Sequence, residues 1–241
     1  MSRMSDADLL FLLSLSVIVP VTVGLVRSRK ISVSYQPFLL YLNISLLAEC
    51  ITYLFIKMFK NSAIPNNVFM LVECNVLLFQ FYYWRINKDR KKFFLTLIAL
   101  CSSVWIIENI LFAKVTVFGP VFRFLYSFIL VLLALNEINF MIVRENKNLF
   151  KNSKFLICLG FMIYFLYQIL YEGSFFVNVI LMNSDTIAGR ETRSQSKGIN
   201  FSKSIITSFA YIAAFIKIVY AIAIFYIPAR TKFPWKLNLV K

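Results

Sequence analysis

SIITSFAYIAAFIKIVYAIAIFYI (residues 204–227) is apolar along its whole length except for Lys217, which stands near its midpoint. As a helix rising 1.5 Å per residue, such a stretch crosses a hydrocarbon core about 30 Å thick. A cation at that depth costs about 3 kcal/mol on insertion scales, so its ammonium has to meet a protein partner or water. The rest of the chain holds candidate partners. Glu49, Glu73, Glu108, Glu137 and Glu172 each fall inside another apolar stretch. The sequence therefore reads as a helical membrane protein with a charged interior.

Composition agrees. The 241 residues are 60% hydrophobic and 17% aromatic, with a mean hydropathy of +0.74, against about 45–50% apolar residues in soluble domains. The net charge of +15 would suggest nucleic acid in a soluble protein. Here Lys and Arg gather in short connections between apolar segments, where they set topology and meet anionic lipid headgroups. Nucleic-acid binding is not expected. The chain has no histidine, which sets aside a histidine zinc site or general base. Cys50, Cys74, Cys101 and Cys158 all sit in apolar segments, as reduced, structural cysteines do.

Seven segments are long enough to span, at about 9–26, 37–58, 68–84, 93–113, 121–143, 155–182 and 204–227. The first has an acidic front (Asp6, Asp8) and no small-residue cleavage site, and Arg27, Arg29 and Lys30 follow it. It is expected to be a retained helix and not a signal peptide. Pro65 and the Asn66–Asn67 pair mark the start of the third segment. The stretch NSDTIAGRETRSQSKGIN (183–200) has the composition of a loop. One alternating set of connections carries sixteen Lys and Arg and the other nine, with Arg123 counted among the nine. The richer side is expected to be cytoplasmic, putting the N-terminus outside and the C-terminus inside. The fold class is all-α: a single-domain, polytopic bundle of seven transmembrane helices.

Polar residues share faces on these helices. Ser45, Glu49 and Thr52 lie together, as do Tyr164, Gln168, Tyr171 and Glu172, and Lys217 is flanked by Ala210, Ala213, Ala214 and Ala221. Polar stripes on apolar helices turn inward. Five carboxylates against one lysine leave a surplus that must be neutralised, hydrated or ion-bound. An internal polar site is expected, lined by Glu49, Glu73, Glu108, Glu172, Lys217, Gln168 and Tyr171. The competing reading is structural. Lys217 would pair with Glu49 or Glu73, and the rest would be interhelical hydrogen bonds worth about 0.6 kcal/mol each.

Four functions were weighed on these residues. The leading one is a non-enzymatic receptor-like protein, or a signalling or assembly subunit, with basic cytoplasmic loops that offer a surface to a protein partner. The second is proton- or cation-coupled transport of a small solute. It lacks repeated halves and helices interrupted by Gly or Pro. The third is a pigment with retinal as its one cofactor, Lys217 as the Schiff-base lysine and Glu73 as counter-ion. This resembles the microbial rhodopsin arrangement in position only, since residue 213 is Ala where an acid is usual. An intramembrane lipid enzyme is not expected, because no Ser/His pair or metal-ligand cluster is present. The passages LLAECITYLF (46–55) and NNVFMLVECNVLLFQFYYW (66–84) resemble a group of small uncharacterised bacterial seven-helix proteins. They share a third-helix glutamate, a Tyr/Phe-rich end and a basic loop. The resemblance implies a bacterial inner (cytoplasmic) membrane and no particular activity.

Overall fold

The computed structural model describes residues 11–84, 91–112, 115, 119–144, 148–188 and 193–229, and their side chains except at 112, 144, 174–188 and 193–207. The described residues are almost entirely helical. Extended pairing among them is confined to one isolated antiparallel bridge, Ile31 with Ala229. The helices are α1 (Phe11–Arg27), α2 (Gln36–Phe59), α3 (Ala63–Trp84), α4 (Lys91–Ile106), α5 (Pro120–Arg144), α6 (Ser153–Ala188) and α7 (Arg193–Tyr226). Six of them, α2 to α7, are long and apolar enough to cross a membrane; α1 is apolar but shorter.

Helix ends differ from the sequence expectation where polar residues, and not apolar ones, decide them. α3 begins at Ala63, whose N–H donates to Asn61 Oδ1 at 2.8 Å. Asn66 and Asn67 therefore do not cap it. Asn66 Oδ1 accepts from Thr52 at 3.2 Å, and Asn67 Nδ2 donates to the Val115 carbonyl at 2.9 Å. α6 and α7 run on into the stretch expected to be a loop, reaching Ala188 and starting at Arg193. Hydropathy marks the part of a helix that suits lipid, and the backbone ladder continues past it. α4 passes into a π-helical turn at Ile107–Phe112, a geometry often found where a side chain must be re-aimed.

The first and last helices pack together, and α1 also packs on α2, so the bundle closes on itself. Arg27, at the end of α1, donates from Nη1 to the Ile224 carbonyl at 2.6 Å and from Nη2 to the Ile227 carbonyl at 3.3 Å. These are carbonyls at the C-terminus of α7, which lack helical partners and carry the negative end of the dipole. Gln80 does the converse for α2. Fully buried, it accepts the Phe38 N–H at 2.7 Å and donates to the Ser34 carbonyl at 2.7 Å, so a side chain of α3 satisfies the start of α2.

The core is aromatic. Phe38, Phe81, Phe122, Tyr126, Phe161 and Phe165 are fully buried and meet edge-on, tilted or stacked. Gly160 leaves room for this packing: a Cβ there would fall 2.3 Å from the Tyr220 ring. Outward faces carry exposed Leu47, Met58, Leu111, Leu170 and Phe215, as lipid-facing surfaces do. None of the four cysteines is in a disulfide; Cys50 is exposed and the other three are buried. Replacing Gln80 with Leu strands the Phe38 N–H. This is expected to lower unfolding stability in detergent by about 1–3 kcal/mol, measurable as a drop in thermal midpoint.

Candidate functional site

The centre of the bundle holds Glu73, only 3% exposed. Its Oε2 accepts the Tyr126 hydroxyl at 3.1 Å, and Tyr126 Oη in turn accepts Gln168 Nε2 at 2.9 Å. Three helices, α3, α5 and α6, are joined by this chain. The Tyr41 hydroxyl of α2 is a second hydrogen-bonding neighbour of the carboxylate. Tyr164 of α6 and Tyr220 of α7 lie within electrostatic reach. Glu73 is thus surrounded by one tyrosine from each of α2, α5 and α7 and by Tyr164 and Gln168 of α6. Among the described residues, no cation forms an ion pair with it.

The other carboxylates are partnered. Glu172 receives Arg123 Nη1 at 3.3 Å, with both side chains nearly buried. Arg123 was expected in an outer connection; it lies inside α5, in its first turn. Glu137 meets Lys154 Nζ at 2.6 Å, and Lys154 also sits 5.3 Å above the Trp84 ring. With Tyr126–Gln168, these pairs form three rungs between antiparallel α5 and α6, residue numbers climbing on one helix as they fall on the other. The outer rungs lie about four turns apart on α5 and about five on α6. Arg123 and Lys154 therefore remove half of the surplus negative charge expected from the sequence.

Glu108 does a different job. Its Oε1 accepts the Val121 N–H at 2.8 Å and its Oε2 the Phe122 N–H at 2.6 Å, so it caps the N-terminus of α5 from the π turn. A carboxylate there satisfies orphan donors and complements the helix dipole. Gly119 permits the approach, because a Cβ would fall 2.7 Å from the Glu108 carboxyl carbon. Lys217 donates to the Ser14 carbonyl at 2.9 Å, where α1 tightens into a 3-10 turn, and stands 3.9 Å from Glu49. It ties α7 to α1 and α2. Glu73 is not its ion-pair partner. Tyr171 turns from the polar stripe to stack on Phe209 at 6.0 Å, beside Tyr167 at 5.7 Å.

The expected site residues thus separate into two groups. Glu73 and Gln168 share the central cluster, while Glu49 with Lys217, Glu172, Glu108 and Tyr171 occupy separate contacts around it. Tyr41, Tyr126 and Tyr220 were not singled out from the sequence. Their signal was there: tyrosines favour membrane interfaces, and Tyr126, Tyr164 and Tyr220 stand well inside apolar segments. A groove of about 340 Å³ between α2 and α3 is lined by Gln36, Pro37, Leu40, Val76, Phe79 and Tyr83, and Glu73 is not among its lining residues. Among the described residues, no cluster of three or more metal-ligating side chains occurs. Comparison with protein-family models, with curated proteins and with solved structures finds no match to this chain.

Two predictions test these assignments. Glu172→Gln leaves Arg123 without its charge partner and is expected to cost about 3–5 kcal/mol, whereas Arg123→Met with Glu172→Leu recovers most of that loss. A double-mutant cycle on thermal unfolding measures it. Glu108→Ala removes the cap of α5 and is expected to cost about 1–2 kcal/mol, and Gly119→Ala should destabilise in the same direction by displacing the carboxylate.

Proposed function

We propose that the chain is a seven-span membrane protein of a bacterial inner membrane, with its N-terminus outside and its C-terminus cytoplasmic. It acts as a receptor-like or partner-bound signalling or assembly subunit, and Glu73 is its working group. One observation carries this reading: a deeply buried carboxylate that accepts a tyrosine hydroxyl and forms no ion pair among the described residues, with Arg123 and Lys217 acting on it only from a distance. A buried charge without an ion pair is costly in apolar surroundings, so Glu73 can change its charge by taking up a proton or a guest cation. Either event changes what its tyrosines bond to, and those tyrosines belong to α2, α5, α6 and α7. A local charge change at a polar cluster shared by many helices is the physical form of a switch. The ion pairs around the cluster support the same reading, since they hold the frame while the centre changes.

Proton- or cation-coupled transport is the second reading. The chain Gln168–Tyr126–Glu73 favours it, because hydroxyl and carboxyl groups in series can pass a proton. The pigment reading draws less support, with Lys217 engaged by Ser14 and Glu49.

Purification from native membranes, with mass spectrometry of co-purifying proteins, is expected to return a stoichiometric protein partner whose retention changes in Glu73→Gln. A chain that travels alone, with Glu73-dependent ion flux in proteoliposomes, would favour transport instead. Topology is checked separately. In a cysteine-free background, a cysteine at Asn61 should react with an impermeant reagent from outside, and one at Lys151 only after permeabilisation.

A further inference from the structure

The groove between α2 and α3 is graded from polar to apolar along its length. Gln36, Pro37 and Tyr83 form its mouth, where α2 begins and α3 ends. Leu40 and Phe79 continue the walls one turn deeper along the helices, and Val76 two turns. At 1.5 Å per residue the walls run for about 10 Å. Leu40, Phe79 and Tyr83 are exposed, so the groove opens outward and away from the aromatic core. The same end of the bundle is basic. The Tyr35 ring meets Trp84 at 5.8 Å and the Tyr82 ring meets Phe94 at 6.0 Å, which brings the approach to α2, the end of α3 and the start of α4 together. Arg29 and Lys30 precede α2, Lys91 and Lys92 open α4, and all four are exposed.

Apolar walls beneath a polar mouth with cations beside it suit an amphiphile with an anionic head. A helix, whether of a partner or of a second copy, needs a longer seam in which small residues let the backbones approach. The lining residues are Leu, Val, Phe, Tyr, Pro and Gln, with no Gly or Ala among them. A flexible acyl chain accepts such walls, and about 340 Å³ falls in the usual range of ligand pockets. We propose that this groove seats one anionic phospholipid. An acyl chain lies between Leu40, Val76 and Phe79, and the phosphate is met by Lys91 and Lys92 from one side and Arg29 and Lys30 from the other. The Gln36 amide and the Tyr83 hydroxyl donate to oxygens at the level of the glycerol, where amphipathic side chains favour the interface. This is a single defined site, over and above the general attraction of basic connections to a charged surface, and it is independent of the role of Glu73.

The full chain, purified in detergent and stripped of lipid, is titrated with dioleoylphosphatidylglycerol. Dioleoylphosphatidylcholine, with the same chains and no net charge, is the control. Native mass spectrometry counts the lipids retained on each chain. One saturable phosphatidylglycerol is expected, held about tenfold or more tightly than phosphatidylcholine. Leu40→Trp fills the groove and should abolish retention. Leu47→Trp, two turns further along α2 and outside the groove, should retain the lipid. Both positions are exposed, and equal thermal midpoints show that the fold is kept. Lys91→Gln with Lys92→Gln leaves the groove intact and should weaken phosphatidylglycerol binding by about tenfold or more without altering phosphatidylcholine. Equal retention of the two lipids, a count that does not saturate, or binding that survives in Leu40→Trp would overturn the proposal. So would a pair of chains that Leu40→Trp separates, because the groove would then belong to a second copy.

Discussion

A carboxylate inside an apolar bundle must be matched by a cation, by helix-terminal N–H groups, or by loss of its charge. The architecture follows from how each buried glutamate meets that demand. Glu137 and Glu172 take Lys154 and Arg123 across the α5–α6 contact. Glu108 takes the free N–H groups at the start of α5. Glu49 takes the lysine that also binds the distorted turn of α1. Glu73 takes hydroxyl groups, and it is the exception around which the aromatic core is arranged.

The same solutions position the helices. Polar contacts in apolar surroundings are few and directional, and each is modest in net energy. Three rungs fix the register of α5 against α6, since a slip of one residue would separate every pair. Arg27 locks the end of α1 to the end of α7, and Gln80 locks α3 to the start of α2. Aromatic packing then fills the space that these contacts define.

Much of this was legible in the sequence, and what was missed has physical causes. Apolar runs with basic flanks located the helices, and depth in the segments left Glu49 or Glu73 as the partner of Lys217, of which the structure has Glu49. Arg123 was misread because a cation in the first turn of a segment looks like a flank until its partner on another helix is known. Glu108 looked like part of an internal site because capping another helix is a tertiary fact, with Gly119 its one local hint. The polar stretch at 183–200 looked like a loop because hydropathy reports what suits lipid, and α6 and α7 continue beyond that limit. Tyr126 and Tyr220 escaped notice because a tyrosine within a Phe-rich segment is usually core, and only their convergence on Glu73 gives them another meaning.

The central claim is that Glu73 alone among these carboxylates is held without a charged or helix-terminal partner. Thermal unfolding of the single Glu→Gln variants at 73, 137 and 172, measured side by side in one detergent, tests it most directly. Gln at 172 strands the buried Arg123 and should lower the midpoint strongly, and Gln at 137, whose partner Lys154 is half-buried, should lower it less. Gln at 73 keeps the shape, accepts the same tyrosine hydroxyl and removes a buried charge that no ion pair meets, so it should leave the midpoint unchanged or raise it. A variant at 73 that is the least stable of the three would contradict the account, because Glu73 would then be answering a charge elsewhere in the bundle.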